Sequence, residues 1–182
     1  MPCLKIINIY LNSYNNNIVA TAGNFETVSL NNTYLSTTDI NQIENDEGFI
    51  FTSDKPIEGI FTNEFFSASI AIPLKEQSNL GKAFRVSTPE KTVIEPAHDE
   101  YHFISVMATT DNTVVNFDNN GKNLKGLGSS ITSVTLDYGE TYLVQPENID
   151  KFFSGTLITL LSTTLSLFFI IVTFCLSGCC FI

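Results

Sequence analysis

The sequence predicts an all-β protein: an antiparallel, sandwich-like domain over residues 1–151, followed by a C-terminal hydrophobic transmembrane helix. Three observations carry this prediction. Short apolar–polar alternations recur at roughly 8–12 residue spacing, the period of half-buried strands. Clusters of Asn, Asp and Gly separate them. No charged residue follows Lys151, so the last 31 residues differ in kind from the rest of the chain.

All 9 basic and 19 acidic residues lie in residues 1–151, and that part carries the whole net charge of −10. Such a domain repels phosphate backbones, and there is no basic run, so nucleic-acid binding is excluded as a reading. Cys3 is the only cysteine before the tail; Cys175, Cys179 and Cys180 lie in or beside the apolar segment. One cysteine makes neither a disulfide framework nor a zinc site, so stability must come from packing. Residues 1–11 (MPCLKIINIYL) lack a basic start, a continuous apolar core and a small-residue cleavage site. The expectation is that the chain either bypasses ordinary secretion or lacks its true amino terminus.

Along residues 1–151 the alternation predicts strands at 3–11, 25–30, 48–52, 57–61, 67–72, 83–87, 101–109, 113–117, 131–137 and 140–145. Val28 and Leu30 fall on one face of their segment, Thr27 and Ser29 on the other. Asn15-Asn16-Asn17 is expected to be a turn, because Asn tolerates left-handed backbone angles. Residues 38–46, with Ile40 and Ile43, suit either a short helix or a polar loop. Asp118-Asn119-Asn120-Gly121 reads as a hairpin turn of type I′. Asp111-Asn112 and Asp137-Tyr138-Gly139 read as two further turns. Residues 121–130 (GKNLKGLGSS) read as a flexible polar loop, without the strand-before and helix-after setting of a phosphate-binding loop.

From Leu157 to Leu176 a 20-residue window holds fourteen apolar residues, and the other six are Thr or Ser. A bilayer core needs roughly 20 such residues in a helix, because unpaired backbone groups in hydrocarbon cost several kcal/mol each. The window is therefore expected to span a membrane, with residues 177–182 as a short tail. The pair Cys179-Cys180 at its boundary is a palmitoylation candidate, or simply two small apolar residues at a helix end. Lys151 alone flanks the span, which by charge would place the β domain in the cytoplasm.

Catalytic constellations find little support. His98-Asp99-Glu100-Tyr101-His102 is the one cluster that suggests metal. It is not the zincin order, which needs Glu directly after the first His on a helix. On one strand the two imidazoles would share a face about 13 Å apart, too far for a single ion. No glycine-flanked serine nucleophile is present, and the sole cysteine of the β domain has no base positioned by sequence. The Asp118 run lacks the closing acid of a calcium loop, where Ser129 stands. Asn31-Asn32-Thr33 is a glycosylation sequon, with Asn31 the acceptor if the domain lies outside the cytoplasm. No catalytic, cofactor or metal residue is assigned, and no cofactor is expected.

The order of the punctuation marks carries a resemblance. Thr52-Ser53-Asp54-Lys55-Pro56-Ile57 is followed by Ala71-Ile72-Pro73 and Leu80-Gly81-Lys82-Ala83-Phe84-Arg85-Val86. Phe103-Ile104-Ser105-Val106-Met107-Ala108-Thr109-Thr110-Asp111-Asn112-Thr113 comes next, then Val134-Thr135-Leu136, Gly139-Glu140-Thr141-Tyr142 and Ser154-Gly155-Thr156-Leu157-Ile158. Over residues 50–158 this series resembles the amino-terminal domain family of IgG Fc-binding protein, found in mucin-like adhesive proteins. The resemblance implies an extracellular, β-rich module of adhesion or recognition, without catalytic residues to carry over. It departs from the family from Leu160 onward, where another β repeat would follow and an apolar run stands instead. Immunoglobulin binding does not transfer, since no residue set carrying it is identifiable.

The expectation is thus a non-enzymatic surface module binding a protein or glycan ligand, with its β domain outside the cell and its anchor in the membrane. Two alternatives stay open: a metal-dependent hydrolase using His98 and His102, and a non-functional gene fragment whose apolar tail is read-through.

Overall fold

The computed structural model describes residues 4–11, 14–21, 40–45, 50–53, 58–65, 68–73, 81–86, 100–147, 154–161 and 168–176. All regular structure among them is β, and no helix occurs. The strands are β1 (Leu4–Leu11), β2 (Tyr14–Thr21), β3 (Ile43–Glu44), β4 (Ile50–Ser53), β5 (Ile60–Phe65), β6 (Ala68–Pro73) and β7 (Ala83–Arg85). They continue with β8 (Glu100–Ala108), β9 (Thr113–Asp118), β10 (Thr132–Leu136), β11 (Thr141–Val144), β12 (Leu157–Leu160) and β13 (Phe168–Leu176).

Two four-stranded sheets, ordered β10-β9-β12-β7 and β13-β8-β11-β3, make the principal body, and every pairing within them is antiparallel. The alternation read in the sequence decides their inner faces. In β9, Thr113, Val115 and Phe117 are buried while Val114, Asn116 and Asp118 are not. Their neighbours in register, Leu136 of β10 and Ile158 and Leu160 of β12, are buried too. From the second sheet come Ile104, Val106 and Ala108 of β8 with Tyr142 and Val144 of β11, and one core joins both sets. Removing such side chains from water is the main driving term, about 1.5–3 kcal/mol for each large one.

The connections differ from the expected hairpins. Asp111-Asn112 joins β8 to β9, and Asp137-Tyr138-Gly139 joins β10 to β11, so both carry the chain from one sheet to the other. These corners clasp each other. The Asn112 amide donates to Asp137 Oδ1 and the Tyr138 amide to Asp111 Oδ1, each at 2.9 Å. Glu140 Oε2 accepts from the Asp137 amide at 2.7 Å. The left-handed angles needed fall on Asn112 (φ 56°) and Gly139 (φ 83°), residues that tolerate them.

Two readings need correction. The Asn15-Asn16-Asn17 turn is strand: the Leu11↔Tyr14 pair closes the hairpin earlier, and Asn15, Asn16 and Asn17 pair with Tyr10, Ile9 and Asn8. Residues 40–45 hold no helix but the two-residue strand β3 on the edge of β11. The helix expected over Leu157–Leu176 runs across residues 162–167, which lie outside the described residues, and its first four residues are strand. Leu157–Leu160 is a strand between β9 and β7, with Ile158 and Leu160 buried and Leu157 and Thr159 half-buried. The tail's apolar run reads equally as a buried strand, because periodicity cannot separate the two and here the core offers a slot of matching register. Phe168–Leu176 pairs antiparallel with β8, and residues 162–167 and 177–182 lie outside the described residues. No described helix is long and apolar enough to cross a membrane.

Candidate functional site

At the end of the body opposite the two clasped corners, β9 runs into a long connection to β10. Asp118 Oδ1 accepts the Asn120 amide at 2.9 Å, a local bond that Asp makes readily to its own backbone two residues on. Asn120 and Gly121 then both adopt positive φ (53° and 74°), and the Lys122 amide donates to Asn119 O at 3.1 Å. The Asn-Gly signal therefore does make the expected turn with two positive φ angles. It opens a longer loop, however, because Thr132 is the residue that pairs with Phe117.

The remainder of this loop is neither simply polar nor loosely held. Leu124 is 1% exposed and belongs to the core. Around it the chain closes on itself: the Leu124 amide donates to Gly128 O at 2.7 Å, and the Gly128 amide returns a bond to Leu124 O at 3.0 Å. Gly126 and Gly128 supply the positive φ this needs (76° and 77°). The Lys125 amide donates to Gln145 O at 2.8 Å, and the Glu147 amide to Asn123 O at 3.2 Å. Asn41, itself at φ 63°, reaches the loop from beside β3 and donates through Nδ2 to Lys125 O at 2.7 Å.

A buried polar pair fastens the same loop to the start of β12. Thr156 donates through Oγ1 to Asn119 Oδ1, and Asn119 Nδ2 donates to Lys122 O at 3.2 Å. Both side chains are buried, and partners of this kind remove most of the cost of burying them. The Lys122 ammonium lies 3.5 Å from Ser154 O. The outward side of the loop presents Lys125, Gly126, Gly128, Ser129, Ser130 and Ile131 to solvent. It is a face of small polar groups with one isoleucine and the Lys125 ammonium, which donates to Gln145 Oε1 at 3.2 Å.

The residues singled out from sequence are differently placed. His102 lies in β8 opposite Phe174 of β13, while His98 lies outside the described residues. Asn31, Cys179 and Cys180 also lie outside them. Among the described residues no group of three His, Cys, Asp or Glu is arranged to hold a metal ion. Sequence reasoning missed Leu124, the Asn119–Thr156 bond and the Asn41 tether. Leu124 alone left a signal, as one of two leucines, with Leu127, in a run of otherwise polar residues and glycines. A scan against protein-family models, a search of curated proteins and a search of solved structures each gave no match.

Proposed function

We propose that this chain is a non-enzymatic recognition or adhesion module with a β-sandwich body, binding a protein or glycan through the loop of residues 119–130. The observation that carries the reading is the loop's construction: its backbone is tied to Gln145, Glu147 and Asn41, and its outward side is left to solvent. A loop held in one shape by a rigid scaffold loses little conformational freedom on binding, which is why recognition residues concentrate in such places. Gly, Ser and Asn give such a surface adaptable hydrogen bonding at low entropic cost. The resemblance to the IgG Fc-binding protein amino-terminal domain family supports the same class. The residues that carry it include those of β7, β8, β10, β11 and β12.

Surface display is part of this reading, with the β domain outside the cell. It is supported by the charge-free run after Lys151 and by the resemblance. A span would have to begin after Leu161, since β12 is committed to the sheet, and the pairing of Phe168–Leu176 with β8 is the arrangement that competes with it. A glycosidase-sensitive mass shift at Asn31 in membrane-expressed protein supports outside placement; digestion of the domain only after permeabilisation opposes it.

Binding itself is tested by immobilising the full chain and presenting a panel of extracellular glycans and proteins. Saturable binding that Ser129→Glu/Ser130→Glu abolishes, without lowering the thermal midpoint, supports the loop. Stoichiometric zinc that is lost in His98→Ala/His102→Ala would favour the hydrolase instead.

A further inference from the structure

We infer that β10 is a self-pairing edge, through which two copies of this chain join antiparallel about a two-fold axis at Ser133. β10 is the outermost strand of its sheet, and among the described residues its backbone pairs only with β9. An open edge offers a row of unpaired N–H and C=O groups, and proteins ordinarily protect it with lysine, proline, a bulge or an inward charge. Among the described residues none of these protections is present. From Gly126 to Leu136 there is no charged residue and no proline, and the register with β9 runs unbroken from Thr132 to Leu136. The strand is rich in β-branched residues, which favours extended pairing.

A second copy of this chain offers the same uncharged strand as its occupant, and side-chain parity fixes the register. Thr132, Val134 and Leu136 pair in register with the buried residues Phe117, Val115 and Thr113, so Ile131, Ser133 and Thr135 point to the outer face. Pairing about Ser133 sets Ile131 of one copy opposite Thr135 of the other, and Thr132 opposite Val134. Ile131, 63% exposed in the single chain, thereby gains a β-branched neighbour at both ends of the seam. Asp137 then falls opposite Ser129 rather than another carboxylate. Moving the axis to Val134 would set Asp137 against Ile131 instead. The seam is thus an uncharged stretch within the acidic part of the molecule, and two copies at −10 each approach best when salt screens the remainder.

Analytical ultracentrifugation of the full chain in non-ionic detergent tests this. The wild type is expected to dimerise in the micromolar range, more tightly at higher salt. Ser133→Lys and Ser133→Glu are each expected to weaken the dimer about tenfold or more, because like charges then face each other across the axis. An equimolar mixture of the two variants is expected to restore a heterodimer, which a mere folding defect would not do. A second pair spares Ser133: Ile131→Glu/Thr135→Lys retains the dimer through two opposite-charge pairs, whereas Ile131→Lys/Thr135→Lys loses it. A monomeric wild type, or variants that dimerise as the wild type does, overturns the proposal.

Discussion

The rings of Phe117 and Tyr142 lie 5.8 Å apart between centroids at an interplanar angle of 40°, one ring from each sheet. This tilted contact joins β9 to β11 through the middle of the core, where Phe117 is fully buried. Phe117→Ala is expected to lower unfolding free energy by about 3–5 kcal/mol, because the removed ring leaves a cavity the two sheets cannot close. Val114→Ala, on the outer face of the same strand, is expected to cost far less. Chemical denaturation of the two variants measures the difference.

Burial pushes the Tyr142 phenol above its usual pKa of 10.0. The folded state therefore holds this proton more tightly than the unfolded state, and the sign is fixed by that difference. The stabilisation is fully present below pH 10 and is lost as the pH rises through the unfolded value toward the raised folded one. Tyr142→Phe is expected to flatten this part of the alkaline stability profile, while other tyrosines leave their own slopes in both proteins. Equal slopes above pH 10 would contradict it.

The reciprocal bonds of Asp111 and Asp137 tie two inter-sheet corners together. Asp111→Ala and Asp137→Ala are each expected to cost about 1 kcal/mol, since each removes an acceptor from a backbone amide at an exposed site. Their effects are expected to be non-additive, with a coupling of at least about 0.5 kcal/mol in a double-mutant cycle. Independent corners would give simple additivity.

Leu124 and Gly128 test the loop in separate ways. Leu124→Ala is expected to destabilise the whole body by about 2–5 kcal/mol, as a core truncation does. Gly128→Ala meets no atom near its new Cβ but must hold φ at +77°, so about 1–2 kcal/mol of backbone strain is expected. Thermal unfolding of both variants reads these costs.

Local pattern revealed most of the strands and little of how they connect. β9 and β10 were legible because their alternation survives folding: buried beside half-buried in β9, half-buried beside exposed up to the buried Leu136 in β10. β11 was legible as a strand but not in its setting: Thr141 and Leu143 are buried as well as Tyr142 and Val144, and four consecutive buried residues carry no period. Asp111 and Asp137 announced turns, yet a turn residue does not say whether the next strand stays in the same sheet. The same ambiguity attends Leu157–Leu160, whose apolar run suits a bilayer and a buried strand alike and which forms a strand. The candidate site was legible only as a loop. Its rigidity rests on Asn41, Gln145 and Thr156, partners too distant in sequence for any local pattern to reveal.

Amide hydrogen exchange on the full chain tests the central claim most directly, namely that a fixed loop stands on a body closed by β12. The Leu124, Lys125 and Gly128 amides are all bonded, as is that of Leu160, which donates to Lys82 O at 2.9 Å. All four are expected to be protected together with the core amides of β9, in keeping with one cooperative unit. Loop amides exchanging at the rate of an unstructured peptide while β9 stays protected would contradict the fixed loop, and an unprotected Leu160 would contradict the closed body.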